Sequence, residues 1–287
     1  MWQSIADQVS ATLHSQFVIH DKYALSGEPH ARRMLISDGT RSLFVKFAPR
    51  YELERLECQQ QALEELGRYQ AIHIPHPICC GTVADTAFLA TEYFPLHEGS
   101  SDEWLNFGAA LAKLHQSDIQ AMYGWDDDNF LGHTPQPNRW QKQWSTFFAE
   151  QRIGWFMQLI QEKQTLEFNI DDVVEVVRRR LVHHQPKPSP LHGNLQPSNL
   201  GFTPTGGVLF DLASFFGDRE LDLARLELSN TLPPAFFQGY DAIWPRSEGY
   251  LDRQPLYQLA YLLQQFAEQG EPCRQPAETA LRQLLAS

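Results

Sequence analysis

The sequence predicts an α+β protein of two lobes: a small N-terminal lobe of about five antiparallel strands plus one helix, and a large, mostly helical C-terminal lobe. Short apolar runs separated by turn residues fill most of the first 94 residues. Beyond them, apolar residues recur mainly at helical spacing. We therefore expect one lobe over residues 1–94, a second over residues 95–287, and a short connection near residues 92–96.

Five short apolar runs in the first lobe have the composition of strands. They span residues 17–19, 31–36, 42–47, 78–83 and 87–93. Ser37-Asp38-Gly39-Thr40 joins the second run to the third, and Asp-Gly tolerates the positive φ angles that a tight hairpin turn requires. Residues 51–67 are expected to form the helix of this lobe, because Leu56, Leu63 and Leu66 share one face at helical spacing.

After Phe94-Pro95 the periodicity becomes helical. Helices are predicted around Trp104–Leu114, from Trp140 toward Glu162, over residues 173–182, and around Leu256–Phe266. A short strand is expected at Val208-Leu209-Phe210, after a Thr-Gly-Gly turn. This order predicts that the helical lobe carries a loop and a strand in its middle.

The charge of the chain argues against nucleic acid as a partner. The 287 residues carry a formal net charge of −12 and show no basic stripe. Arg178-Arg179-Arg180 is a basic run, but on a helix its side chains spread over about 200° and favour a solvated face. Acidity does not exclude an anionic nucleotide, because metal ions and local lysines can hold one.

The apolar runs and the cysteines together predict the cellular compartment of the protein. No run approaches the roughly 18 apolar residues of a membrane span, and the N-terminus has no secretory apolar region. The four cysteines include the adjacent pair Cys79-Cys80, which has neither a zinc nor a redox spacing. We expect reduced thiols in a cytoplasmic protein that is a monomer or weak dimer, with no membrane partner.

Lys46 is the first candidate for chemistry. It lies in Leu43-Phe44-Val45-Lys46-Phe47, so it either extends from an exposed edge of the sheet or points into a cleft. On the following helix, Gln59 lies about 60° from Leu56 and therefore close to the packed face. A polar group there needs a partner. Lys46 is one candidate; a glutamine that faces solvent at the edge of the stripe fits nearly as well.

A second polar group surrounds LHGNLQPSNL, residues 191–200. His192, Asn194 and Asn199 lie in this loop, and Asp211 closes the next predicted strand. Asn199 and Asp211 offer the oxygen ligands that Mg²⁺ prefers, although Asn and Asp also favour loops and strand ends. The order is more specific than the residues alone. A strand lysine, a polar residue on a helix, a His-Gly loop and a strand aspartate follow one another in kinases.

Several stretches, spread over nearly the whole chain, point to one family. They are Phe44-Val45-Lys46, Pro135-Gln136-Pro137-Asn138-Arg139-Trp140 with Trp144-Ser145-Thr146-Phe147-Phe148, residues 191–202, and residues 210–224. The chain resembles the fructosamine kinase (ketosamine kinase) family, which is related to aminoglycoside phosphotransferases and, more distantly, to protein kinases. The Pro-Gln-x-Asn-x-Trp and Trp-x-x-Phe-Phe segment distinguishes fructosamine kinases from those relatives.

The resemblance implies a two-lobed, protein-kinase-like fold with a nucleotide cleft between the lobes. The implied activity is ATP-dependent phosphorylation of a sugar hydroxyl on a ketosamine or related small molecule. Lys46 is expected to bind the α- and β-phosphates of ATP beside Gln59, and Asn199 and Asp211 are expected to bind Mg²⁺. His192 and Asn194 fall in the catalytic loop.

Further roles follow from the same resemblance. Residues from Glu92 to Phe94 are expected to form the hinge that meets adenine. Asp222, at a helix start, is expected to brace the catalytic loop. Trp140 and Trp144 are expected to shape the sugar side of the cleft, but a place in the aromatic core is an equally good interpretation for each.

Departures from the family pattern concern the chemistry itself. Asn194 stands where the family has the aspartate that accepts the substrate proton, and Gln59 stands where it has a glutamate paired with the lysine. Gln196-Pro197-Ser198 replaces Trp-Ser-Gly. The segment that covers the nucleotide, residues 26–31, has one glycine and contains Pro29. Two hypotheses remain: a weakened kinase, or a pseudokinase that binds nucleotide or a small ligand without turnover.

Overall fold

The computed structural model describes residues 1–25, 33–118 and 120–286. The chain separates into two compact units. The first comprises Met1–Glu98 with Gly201–Phe210, and the second comprises Gly99–Leu200 with Asp211–Ser287. By its contacts, the short segment 201–210 therefore belongs to the first unit, although it follows the loop at residues 191–200. The division of roles between residues 1–94 and 95–287 stays a prediction.

The elements are numbered here along the chain. Residues 1–98 contain α1 Trp2–Leu13, β1 Asp21–Leu25, β2 Arg33–Ser37, β3 Ser42–Pro49, α2 Leu53–Gly67, β4 Pro77–Val83 and β5 Thr86–Glu92. Residues 99–199 contain α3 Ser101–Gln116, β6 Asn129–Leu131, β7 Thr134–Gln136, α4 Trp144–Phe148, α5 Trp155–Gln161, α6 Ile170–Leu181 and β8 Ser189–Pro190. The remainder contains β9 Leu200–Thr203, β10 Gly206–Leu209, β11 Phe216–Gly217, α7 Glu220–Glu227, α8 Pro234–Ile243, α9 Tyr250–Gln269 and α10 Arg274–Ala286.

The first unit is built on a five-stranded sheet in the order β1-β2-β3-β5-β4. Every neighbouring pair is antiparallel, which confirms the predicted sheet and α+β class. β3 is the central strand, so Lys46 does not lie at a sheet edge. On α2, the predicted stripe is buried: Leu56, Leu63 and Leu66 all face the interior.

Two expectations for this unit are wrong. Residues 17–19 form no strand; Phe17 is instead 1% exposed in the core, and its N–H donates to Ser10 Oγ at 2.9 Å. The unit also contains a second helix, α1, whose Ile5 and Val9 are fully buried against one face of the sheet. The predicted run 31–36 lies partly outside the described residues, and its described part belongs to β2.

The second unit packs its helices around an aromatic core. α4, a π-helical segment Ala149–Gly154, and α5 form one continuous helical stretch from Trp144 to Gln161. The predicted helix thus begins at Trp144 rather than at Trp140. Phe147, Phe148 and Phe156 from this stretch are fully buried, and they pack in one cluster with residues of α9.

The expectations about membrane spans and about cysteine oxidation both concern features of the described residues. None of their helices is long and apolar enough to cross a membrane. All four cysteines are free thiols. Burial raises the pKa of Cys79 to about 11 and, together with the charge of Glu57, that of Cys80 to about 12. These two thiols are therefore protonated and poorly nucleophilic at neutral pH.

Glycines allow α3 and α8 to cross at backbone contact. A Cβ atom on Gly108 of α3 would lie 2.0 Å from the carbonyl oxygen of Phe236. One on Gly239 of α8 would lie 1.8 Å from the carbonyl oxygen of Leu105. Because both obstacles are backbone atoms in helices, neither can move aside cheaply, and a larger residue would push the helices apart.

Gly239→Ala should therefore lower the free energy of unfolding by about 1–3 kcal/mol, the usual effect of overpacking. Urea denaturation of the purified variant measures it. Gly67→Ala is a matched control, because its Cβ would meet only Ile74 Cβ at 4.0 Å; we expect that change to be neutral or stabilising by about 0.5–1 kcal/mol. Equal stability of wild type and Gly239→Ala would contradict the proposed crossing.

Candidate active site

The loop at residues 191–200 is tied to the segment that follows Asp211. Leu191 N–H donates to the carbonyl of Phe215 at 3.0 Å, and Ala213 N–H donates to the carbonyl of His192 at 2.9 Å. Gly193 has a φ of +76°, and a Cβ atom there would lie 2.0 Å from the carbonyl oxygen of Ala213. Only glycine fits this position, because both the backbone angle and the close approach exclude a side chain.

Asp222 holds this loop from α7. Its side chain is fully buried and accepts hydrogen bonds from the backbone N–H groups of His192 at 2.7 Å and Gly193 at 2.9 Å. His115 Nε2 lies 3.3 Å from the same carboxylate. A buried carboxylate is stable only when it is well hydrogen-bonded. The structure places Asp222, the predicted bracing residue, against the loop, where backbone N–H groups supply these hydrogen bonds.

Behind Asp222 lies a buried polar chain that sequence reasoning missed. The hydroxyl of Tyr240 lies 2.8 Å from His115 Nδ1 and accepts a hydrogen bond from Arg219 at 3.2 Å. Burial, chiefly, keeps the pKa of Tyr240 above its usual value, although Arg219 opposes this. The hydroxyl therefore stays protonated and can donate to the histidine. The available sequence signal was His115 itself, a polar residue beside Leu114 and Leu111 on an apolar helix face.

Asn194, which is expected at the position of the catalytic base, is half-buried. Its side-chain Nδ2 donates to the backbone carbonyl of Asp211 at 3.3 Å, and its N–H donates to His192 Nδ1 at 3.1 Å. An aspartate could not make the first of these bonds, because a carboxylate has no hydrogen to donate. The amide is thus part of the local structure.

His192 is fully buried. Nδ1 of its ring accepts the Asn194 N–H at 3.1 Å, so this nitrogen carries no proton in that contact. This arrangement shapes the backbone around Asn194. A catalytic role for His192 remains a prediction. Its structural role is seen in the contact with the Asn194 N–H.

The two predicted metal ligands are both hydrogen-bonded to Asn194. Asn199, 5% exposed, ends a 3₁₀ turn Pro197–Asn199 and donates from Nδ2 to the carbonyl of Asn194 at 2.9 Å. Asp211 has a φ of 50° and accepts from the Asn194 side chain through its own carbonyl. An amide oxygen and a carboxylate are hard oxygen donors, so this pair fits Mg²⁺.

In the first unit, Lys46 points inward. Its Nζ donates to Gln59 Oε1 at 3.2 Å, and the residue is 9% exposed in the middle strand. Of the two alternatives left by the sequence, the structure therefore shows the inward lysine with Gln59 as its partner. The amide supplies an oxygen acceptor without a negative charge.

The predicted hinge residues lie at the end of β5. The carboxylate of Glu92 accepts the N–H of His76 at 2.9 Å, and its own N–H donates to the carbonyl of His76 at 3.0 Å. Phe94 meets the ring of His73 edge-on, with centroids 6.4 Å apart. The segment expected to cover the nucleotide, residues 26–31, lies outside the described residues.

The two tryptophans predicted to lie on the substrate side have different environments. Trp144 is 1% exposed and its Nε1 donates to the hydroxyl of Tyr257 at 3.0 Å, which places it in the aromatic core. Trp140 is half-buried; it stacks on Phe216, with centroids 6.1 Å apart, and donates from Nε1 to Asp126 at 3.2 Å. Of the two, only Trp140 presents a substantial surface.

Arg152 is a second feature that sequence reasoning missed. Its guanidinium lies between the rings of Phe147 and Phe215, 4.7 and 4.2 Å from their centroids. It donates to the carbonyl of Pro137 and to Asn138 Oδ1, both at 2.6 Å. Burial lowers the pKa of Arg152 to about 9. The family-specific Pro-Gln-Pro-Asn stretch is thus fixed from the core by one buried cation.

His184, Asp218 and Glu220 form another polar cluster within the described residues, with candidate ligand atoms within 4.8 Å of one another. Glu220 is ion-paired with Arg253 at 2.8 Å. Asp218 accepts from Tyr257 at 2.5 Å and lies 2.7 Å from His184 Nε2. Because a guanidinium already neutralises Glu220, we interpret this cluster as a buried charge network rather than a metal centre.

Comparison with known proteins identifies the family. The model of the fructosamine kinase family matches residues 1–287, the whole chain. The chain belongs to the fructosamine kinase family. This confirms the resemblance seen in the sequence. As a member of this kinase family, the chain is a phosphotransferase.

Individual relatives agree with this assignment. A protein of Vibrio parahaemolyticus, named probable ketoamine kinase, is 40% identical over 264 residues, which cover 92% of each chain. A crystal structure described as a fructosamine-3-kinase, from Haemophilus somnus, superposes with a TM-score of 0.93 at 32% identity and covers 99% of this chain and 98% of its own. An aminoglycoside phosphotransferase shares the fold alone, with a TM-score of 0.64 at 14% identity, covering 99% of this chain and 97% of its own.

Asp222→Asn should lower the free energy of unfolding by about 1.5–3 kcal/mol, because hydrogen bonds to a charged group are lost and an amide hydrogen would face backbone donors. Urea denaturation measures the change. Asp85→Asn, in an exposed turn, is the control and should differ from wild type by less than about 0.5 kcal/mol. If the two variants were equally stable, Asp222 would not be bracing the loop.

Proposed function

We propose that the chain is an ATP-dependent kinase of the cytoplasm that phosphorylates a sugar hydroxyl on a ketosamine or a related sugar-amine, at a rate lowered by Asn194 and Gln59. The observation that carries this proposal is the loop at residues 191–200. It is fixed by Asp222, and Asn194 links Asn199 and Asp211 in one hydrogen-bonded unit. The substrate class follows the names of the relatives.

The nucleotide roles fall to residues whose chemistry suits them. Lys46 binds the α- and β-phosphates of ATP, oriented by the oxygen of Gln59. Asn199 and Asp211 hold Mg²⁺, which when bound neutralises charge that builds up on the phosphates. Gln59 has an amide where a charged partner is expected, so its hydrogen bond to the lysine ammonium lacks the Coulomb attraction of an ion pair.

At the acceptor, Asn194 positions the attacking hydroxyl. Its amide oxygen can accept a hydrogen bond but cannot accept the proton, and a positioned base contributes roughly 10²–10⁴-fold to rate. Phosphoryl transfer has a loose transition state in which positioning and charge stabilisation dominate. The arrangement therefore supports slow transfer with the proton released to water.

A catalytically impaired pseudokinase is the second candidate, and the same two amides favour it. Gln59 is hydrogen-bonded to Lys46 and Asn194 to Asp211. Neither residue carries the negative charge of the acid expected at its position. Such a site binds nucleotide or a small ligand without needing turnover. The two candidates differ in a single observable, the formation of phosphorylated acceptor.

Mg-ATP should raise the melting temperature, because binding to the native state alone stabilises it by about 2.7 kcal/mol at 100 times the Kd. Differential scanning fluorimetry with ATP, with and without Mg²⁺, measures the shift. Asp211→Ala should abolish the Mg²⁺-dependent part, and Asp85→Ala should retain it. No shift at millimolar nucleotide, in folded protein, would overturn both candidates.

Restoring the acid at position 194 should restore rate. Asn194→Asp is expected to raise turnover on a fructosyl-amine roughly 10- to 10³-fold, and adding Gln59→Glu should raise it further, because both act on one transition state. Phosphorylated acceptor per enzyme per minute is measured in wild type, in the single variants Asn194→Asp and Gln59→Glu, and in the double variant. Asn230→Asp, at an exposed site, is the charge control.

Two results would redirect the interpretation of this assay. A wild type that turns over briskly and is slowed by Asn194→Asp would make Asn194 a working catalytic residue. A wild type that binds nucleotide but forms no product, with activity appearing only in the variants, would establish the pseudokinase. Because Asp cannot donate to the Asp211 carbonyl, Asn194→Asp should also be less stable by about 1 kcal/mol.

A further inference from the structure

The two faces of the sheet in the first unit have different surroundings. One face packs against α1, and Ile36, Val45, Phe88 and Ala90 lie there in a single buried cluster. Successive strand residues alternate between faces. The residues one position away, including Lys46 on β3, therefore lie on the opposite face, where Gln59 of α2 reaches the lysine.

Arg33 lies on that second face, directly opposite Lys46. The two residues are cross-strand partners in the antiparallel register of β2 and β3. Directly opposed side chains on one face have Cβ atoms only about 4.5–5.5 Å apart, and like charges in that arrangement are destabilising. The chain has a net charge of −12, so two cations side by side on one sheet face are unlike its general surface.

The surroundings of the two cations suit a nucleotide. Leu35 and Phe44 form the next cross-strand pair on the same face, and both are only half-buried. Gln59 offers Lys46 an amide oxygen and no charge. An anion carried by a flat apolar group would therefore meet two positive groups and, one residue pair away, an apolar floor.

We propose that Arg33 is a second cation for the phosphate chain of the bound nucleoside triphosphate, acting beside Lys46. This inference rests on the proposed function, because it concerns the same nucleotide. The planar guanidinium can donate two parallel hydrogen bonds to phosphate oxygens, whereas the lysine ammonium acts as a point charge. Together they neutralise charge that one Mg²⁺ leaves on ATP.

The sequence gives a reason why this chain needs a second cation. Residues 26–31, which precede β2, have one glycine and include Pro29, and proline has no backbone N–H. A phosphate cradle made of backbone N–H groups depends on glycines that allow close approach. Pro29 removes one such donor from this stretch, and a guanidinium at the start of β2 would supply hydrogen bonds and charge in its place.

Arg33→Gln tests the assignment by removing the charge while keeping a polar side chain. Binding of ATP, ADP and adenosine is measured by isothermal titration calorimetry in Mg²⁺ buffer. ATP and ADP should bind about ten- to a hundredfold more weakly, as expected when hydrogen bonds to a charged group are lost, while the affinity for adenosine stays the same. Arg68→Gln, an exposed arginine of the same unit, is the matched control and should bind all three as wild type does.

Arg33→Lys separates charge from folding. It keeps the positive charge and should lose less than about tenfold in ATP affinity, and it serves as the test if Arg33→Gln does not fold. The logarithm of ATP affinity should also fall more steeply with the logarithm of salt concentration in wild type than in Arg33→Gln, whereas Arg33→Lys should keep the wild-type slope. Equal ATP affinity in wild type and Arg33→Gln, or an equal loss for ATP and adenosine, would overturn the role proposed for Arg33.

The outcomes distinguish this inference from the proposed function. If wild type binds no nucleotide, the proposed function itself fails. If wild type binds ATP and Arg33→Gln binds it equally well, the proposed function stands and Arg33 has no part in it. A loss confined to phosphate-bearing ligands is the result that assigns Arg33 to the phosphates.

Discussion

One buried carboxylate, that of Asp222, accepts the backbone N–H groups of His192 and Gly193 and fixes the loop between them and Asn199. Such hydrogen bonds are stronger than neutral ones and lose much when either partner is removed. The contact with His115 completes the environment of the charge. Everything that the loop presents depends on this anchor, because the Asn194 and Asn199 side chains take their positions from its backbone.

In this chain the loop geometry is combined with a change of charge. Asn194 and Gln59 both offer amide oxygens where the family pattern is expected to have acids, and both retain hydrogen bonds to the surrounding structure. Arg33 adds a cation opposite Lys46. Compared with acids at these positions, the residues proposed to meet the nucleotide are therefore less negative. That change favours holding an anionic ligand over removing a proton from an acceptor.

Sequence periodicity predicted the features that depend on near neighbours. The antiparallel sheet and the leucine stripe of α2 follow from local spacing. The contact between Gln59 and Lys46 was one of two alternatives that local spacing left open, and the structure has that contact. His115 and Arg152 escaped prediction because their partners are distant: Tyr240 lies 125 residues from the first, and the second lies between rings brought together only by folding. The isolated apolar run at Phe17 fits a strand or a buried loop equally well, and in the structure Phe17 lies in a buried loop.

The charge argument can be measured directly as the Mg-ATP dissociation constant of wild type and Asn194→Asp, by calorimetry under identical conditions. The carboxylate would add a negative charge to a loop proposed to face the triphosphate, and it would lose the bond to the Asp211 carbonyl. We predict that wild type binds Mg-ATP at least as tightly as the variant. Markedly tighter binding by Asn194→Asp would contradict the account, since position 194 would then favour an acid for nucleotide binding as well as for catalysis.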